Sequence, residues 1–153
     1  MRAALVVFLL WLSGPALACA VPGDAVALRG ALLAAVNTLR MAEGRASLTA
    51  DADLDMAAQE QACHMAERER VSHRGSWFAG LGRRLRRVGY TYSMAVENLA
   101  AGQASVAEVA GDWAASPEHR ANILAPQVRE VGFGIARAAD GRLHWVMIGA
   151  AQR

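Results

Sequence analysis

The stretch SPEHRANIL, Ser116–Leu124, sets a serine before a proline, a histidine two residues on, and two apolar residues at its end. Serine at the N-cap and proline at the first helical position are start signals: the serine oxygen accepts a free amide, and proline has none to leave unsatisfied. The run therefore predicts a short helix with His119 in its first turn, between Glu118 and Arg120. A histidine there is either surface decoration or one arm of a site assembled from distant segments.

Upstream of this helix, Ser105 and Glu108 form an S-x-x-E capping pair that opens a helix through Trp113 to about Ala115. Downstream the period changes. Val131, Phe133 and Ile135 alternate, as do Leu143, Trp145 and Met147, with Asp140-Gly141 between them. Asp-Gly between two alternating runs is a hairpin signal. Towards the N-terminus, Leu28, Leu32, Val36 and Leu39 form one apolar helical stripe; Asp24 can cap that helix, which runs to about Ala42 and ends at Gly44. A second helix fits Asp51 to about Arg70, with Leu54, Ala58, Ala62 and Met65 inward and Cys63 and His64 near the buried stripe. Val71–Gly80 loses periodicity and reads as a loop, GRRLRRVGY as a short basic helix closing at Gly89, and Tyr90–Ala100 as a strand or extended segment. Helices first and strands last make an α+β order, in one domain over residues 24–153.

The first twenty residues, MRAALVVFLLWLSGPALACA, have a positive start at Arg2, an apolar run from Ala3 to Leu12, a break at Gly14-Pro15, and two small-x-small cleavage sites. That composition predicts a secretory signal peptide over residues 1–18, with cleavage after Ala20 as the alternative. The apolar run is too short to span a bilayer, and no later stretch is expected to reach membrane length. The mature protein is thus expected to be secreted or periplasmic, without a transmembrane segment, and monomeric. Cleavage after Ala18 leaves Cys19 and Cys63, a pair suited to a disulfide that ties the new N-terminus to a helix; cleavage after Ala20 leaves Cys63 as a lone buried thiol.

The formal net charge of +2 gives no electrostatic case for nucleic acid. All 16 basic residues are arginine. There is no H-E-x-x-H, C-x-x-C, phosphate-binding glycine loop or G-x-S-x-G elbow. Four histidines remain: His64, His73, His119 and His144. His64 follows Glu60 by one helical turn and suits a local hydrogen-bonded pair. His144 lies between Leu143 and Trp145 and should point away from the core those two share. His73 and His119 stand where regular structure stops and side chains can converge. Glu97, a carboxylate in an apolar strand, needs a partner there.

Five features in order resemble one family: Ser72-His73, the R-x-x-x-x-GY spacing from Arg84 to Tyr90, ENLAAG at 97–102, the W-x-x-SP-x-HRANIL run from Trp113 to Leu124, and EVGFG at 130–134 before a closing Trp-containing strand. Together they resemble a bacterial member of the CAP superfamily (cysteine-rich secretory proteins, antigen 5 and pathogenesis-related proteins), over roughly residues 30–150. The resemblance implies a three-layer α-β-α sandwich with a central, mainly antiparallel sheet and a cleft on one side, where two histidines and two glutamates converge. By position, His73 and His119 are the two histidines, able to hold a divalent metal such as zinc, and Glu97 is the glutamate of the G-E-N motif. These three are the candidate catalytic residues, with His73 and His119 the metal ligands.

Three departures qualify the match. Val96 replaces the usual glycine before E-N, and the second family glutamate falls near Ser116, where no acid stands. Glu118 either substitutes for it or is a solvated surface acid. Trp77 and Phe78 occupy the loop after His73 and either line the cleft or cover the core. Arg83, Arg84 and Arg87 share a helical face by spacing, either an anion patch for glycans or lipid headgroups or a solvated face with Arg84 bonded internally. Two functions follow: an exported domain whose cleft takes a lipid, glycan or peptide, or a metal-assisted hydrolase acting on an envelope or extracellular substrate. No assigned nucleophile or oxyanion hole favours the second.

Overall fold

The computed structural model describes residues 19–75 and 80–153. The signal-peptide reading of residues 1–18 and the placement of Trp77 and Phe78 lie outside them. Five helices, α1 (Ala25–Ala42), α2 (Ala52–Glu67), α3 (Leu81–Arg87), α4 (Val106–Ala115) and α5 (Pro117–Leu124), surround a sheet of β1 (Thr49–Ala50), β2 (Tyr92–Ala101), β3 (Glu130–Arg137) and β4 (Leu143–Gln152). The strand order is β1-β3-β4-β2. Only the two-residue β1 pairs in parallel, so the sheet is mainly antiparallel as expected.

The starts are chemically marked. Asp51 Oδ1 accepts from the Leu54 amide at 2.9 Å. Ser105 Oγ accepts from Glu108 N at 3.2 Å while Glu108 Oε2 reaches back to Ala104 N at 2.9 Å. Ser116 Oγ accepts from His119 N at 3.5 Å, with Pro117 opening α5. Asp24 stands at the start of α1, but its side chain makes no capping bond.

One core fills each face of the sheet. Leu32, Val36, Trp113, Phe133, Trp145 and Met147 pack between the sheet and α1, α4 and α5. Leu54, Ala58, Met65, Leu85, Leu99, Val146 and Ile148 pack on the opposite face, against α2 and α3. Alternation along each strand distributes its residues between the two. His144 faces away from Leu143 and Trp145, as alternation predicts, and into the second core, where it is only 1 % exposed. A sheet covered on both faces has no solvent side for it.

The free edge of β3 shows how α2 is held. Beyond the two residues paired by β1, Asp55 Oδ1 accepts from Phe133 N at 2.7 Å. Gln59 Nε2 then donates to Ile135 O at 2.9 Å, and Gln59 Oε1 accepts from Ile135 N at 3.3 Å. At the end of the strand, Arg137 N donates to Ala20 O at 2.8 Å. Side chains one helical turn apart on α2 thus stand in for a missing strand and satisfy the edge. Cys63, one further turn along, is joined to Cys19 by the expected disulfide. The approach is close because EVGFG supplies two glycines: a Cβ on Gly132 would lie 2.2 Å from Asp55 N, and one on Gly134 2.2 Å from Ala58 O.

By length and composition alone α1 is apolar enough to cross a membrane, contrary to the expectation that nothing after residue 20 would be. Its Leu32, Val36 and Arg40 are buried within this domain, and the buried Arg40 guanidinium donates to Ile123 O at 2.6 Å. That bond satisfies a carbonyl at the end of α5 and fixes α5 against α1.

Candidate functional site

Glu97 lies in β2 with its side chain 4 % exposed. It shares a sheet face with Leu99, toward α2 and α3, whereas Asn98 turns to the α4 and α5 face with Val96 and Ala100. A buried carboxylate needs compensation, and Glu97 has two partners. His73 Nδ1 lies 2.8 Å from Glu97 Oε2. The fully buried Arg84 guanidinium donates to Glu97 Oε1, and also to the His73 carbonyl at 3.3 Å. Arg84 therefore anchors both the acid and the backbone of the loop that carries the histidine.

His73 itself is two-thirds exposed. With Nδ1 turned to the carboxylate, Nε2 is the nitrogen left for a ligand. The hydrogen bond to Glu97 holds the imidazole above its ordinary pKa, outweighing the opposing effect of burial.

His119 reaches the same strand by a different route. Its carbonyl accepts from Asn98 Nδ2 at 2.9 Å. Asn122, one turn further along α5, donates to Glu97 O at 3.2 Å and to Asn98 Oδ1 at 2.8 Å. The ENL and HRAN motifs thus meet as a backbone-locking network that pins α5 to β2. His73 and Glu97 are joined side chain to side chain; His119 is tied to Glu97's strand through its backbone. Asn98, Asn122 and Arg84 are the residues sequence reasoning did not assign to the site. Their signal was present, since all three sit inside the quoted motifs.

Other expectations resolve differently. Glu118 is exposed on the first turn of α5 and forms no hydrogen bond or ion pair with either histidine among the described residues. Ser116, at the position of the second family glutamate, is occupied as the α5 cap. The proposed arginine face breaks up because Arg84 turns inward while Arg87 Nη1 pairs with Glu60 Oε1 at 2.5 Å. Glu60 thereby ties α2 to α3. Burial lowers the His64 pKa, with Arg68 adding to the effect.

For a metal, the donor set is thin. Among the described residues no group of three or more His, Cys, Asp or Glu side chains could hold an ion. His73 and His119 contribute at most two imidazoles, and Glu97 is engaged on both oxygens. Resident zinc sites use three or four protein ligands, and these residues do not fit one.

The fold, the locked Glu-Asn pair and the histidine helix define an α-β-α domain of one class. The cysteine-rich secretory protein (CAP) family model matches residues 33–148, and the chain belongs to that family. It is 27 % identical over 119 residues to the uncharacterized protein YkwD of Bacillus subtilis, covering 78 % of this chain and 46 % of YkwD, so it spans about half the length of that relative. Its fold is similar to an extracellular protein containing an SCP domain from Bacillus anthracis (TM-score 0.76, 22 % identity, 92 % of this chain and 45 % of that one). It is also similar to an outer surface protein of Borrelia burgdorferi (TM-score 0.74, 20 % identity, 80 % of this chain and 90 % of that one).

Proposed function

We propose that this chain is the ligand-binding CAP domain of an exported protein, taking a polar envelope or extracellular ligand along the β2 edge between His73 and His119. The observation that carries this reading is the commitment of Glu97 to Arg84 and His73. A carboxylate held on both oxygens serves to orient His73 and is poorly placed to activate water, and among the described residues no group of three His, Cys, Asp or Glu side chains forms around it. Among the described residues His73, Arg74 and Glu118 are exposed in or beside the histidine motifs, and all three are hydrogen-bonding, which suits a glycan or peptide better than a lipid chain. A divalent ion such as zinc is at most an exchangeable guest on His73 and His119. Export is supported by the family, by the Cys19–Cys63 disulfide and by the composition of residues 1–18.

The test is an amide-shift titration of the mature chain with soluble muropeptides, phospholipid bicelles and zinc in separate arms, beside His73→Ala and His119→Ala. Saturable shifts at residues 72–75, 97–98 and 119–122 with the muropeptide, lost in both variants, support the reading. Saturation by bicelles alone, or turnover of the muropeptide that disappears in His73→Ala, overturns it in favour of a lipid carrier or a hydrolase.

A further inference from the structure

The basic helix α3 carries four arginines, and two are used internally: Arg84 on Glu97 and Arg87 on Glu60. Arg86 is exposed and has no ion pair among the described residues. It borders a hollow of about 580 Å³ between α3 and the start of β2, with Thr91, Tyr92, Ser93 and Arg153 also on its wall. No aspartate or glutamate side chain lines it among the described residues.

Gly82 stands beside two residues of that wall. A Cβ on Gly82 would stand 2.3 Å from the Tyr92 hydroxyl and 3.6 Å from Arg86 Nη1. The tyrosine therefore lies in the notch that Gly82 leaves, and its hydroxyl and the Arg86 guanidinium gather about one point. Among the described residues that hydroxyl has no hydrogen-bond partner. Arg153 is tied to the start of β2, its amide donating to Thr91 O at 3.3 Å. The neighbouring Tyr90 hydroxyl is turned away, donating to Glu130 Oε2.

We propose that this hollow is an anion subsite, separate from the histidine cleft, that takes the phosphate or carboxylate group of a small extracellular molecule. The Arg86 guanidinium and the Tyr92 phenol, with no acid side chain on the wall among the described residues, match the acceptor-only surface of an oxyanion. The Tyr92 ring offers a face on which the uncharged part of such a molecule, for example a sugar ring, can rest.

The experiment is an amide-shift titration of the mature chain with inorganic phosphate, glucose 6-phosphate and glucuronate, at ionic strength held constant with sodium chloride. Shifts confined to residues 82–93 and 153 should saturate with at least one of them, and the arms separate phosphate from carboxylate. Arg86→Gln should weaken that binding about tenfold or more, the worth of one charge-assisted hydrogen bond. Tyr92→Phe should weaken it less, and His73→Ala should leave it unchanged, which keeps this result independent of the cleft. Arg153→Gln is the second variant if Arg86→Gln does not fold. Shifts that stay linear for all three ligands, or equal affinity in wild type and the folded arginine variant, overturn the proposal.

Discussion

Replacing Arg84 with methionine isolates the buried pair on which the site rests. The guanidinium is fully buried, Glu97 is nearly so, and removing the arginine leaves a carboxylate whose remaining side-chain partner is His73. Breaking a buried pair by deleting one member costs about 3–5 kcal/mol, because the survivor stays desolvated. For a domain of this size that corresponds to a fall in Tm of roughly 10–20 °C. Thermal melts at neutral pH measure this loss. Arg84→Met/Glu97→Gln should recover about 1–3 kcal/mol relative to the sum of the single variants, the coupling expected of contacting groups. Arg84→Lys should fall in between, keeping the charge without the two-pronged geometry. A loss below about 1 kcal/mol, or strict additivity in the cycle, would refute the reasoning.

Three further outcomes follow. Gly134→Ala forces a methyl into the backbone of α2 at Ala58, and should cost about 3 kcal/mol or more in chemical denaturation, whereas Gly23→Ala, with open space around it, should not. Reducing the Cys19–Cys63 bond, whose partners are 44 residues apart, should remove up to about 4 kcal/mol by loop-entropy arithmetic, read as a lower Tm in reductant that Cys19→Ser/Cys63→Ser reproduces. Burial depresses the His144 pKa, so its contribution is complete above the unfolded value of about 6.5 and is lost as pH falls through that value towards the lower folded one. His144→Gln should flatten that acid-side decline in a stability-versus-pH series.

The elements were legible wherever the signal is local. Ser105, Ser116 with Pro117, and the Asp140-Gly141 turn each mark a boundary through chemistry confined to a few residues, and the structure places boundaries beside each. The two-residue β1 was not legible, because Thr49-Ala50 is too short to show a period. Nor was the edge role of Asp55 and Gln59: on a helix such residues read as solvent-facing, and only the glycine-permitted approach of β3 turns them into strand partners. At the site, Glu97 and His73 could be paired from motif and burial arguments. Arg84 could be named as the arginine bonded internally, but not its partner, because that depends on where β2 passes beneath α3. Alternation named the face His144 takes, but not the α2 layer that buries it there.

The site turns on Glu97 holding His73 by Nδ1 and presenting Nε2 outward. Long-range ¹⁵N–¹H correlation spectra of the histidines, recorded across pH in wild type and Glu97→Gln, test this most directly. The expected result is a neutral His73 protonated on Nδ1, with a pKa above the ordinary value of about 6.5 that falls in Glu97→Gln. By linkage, the stability His73 adds is complete below about pH 6.5 and is lost as pH rises through the higher folded value. A neutral His73 protonated on Nε2, or a pKa indifferent to the loss of the carboxylate, would contradict this picture of the site.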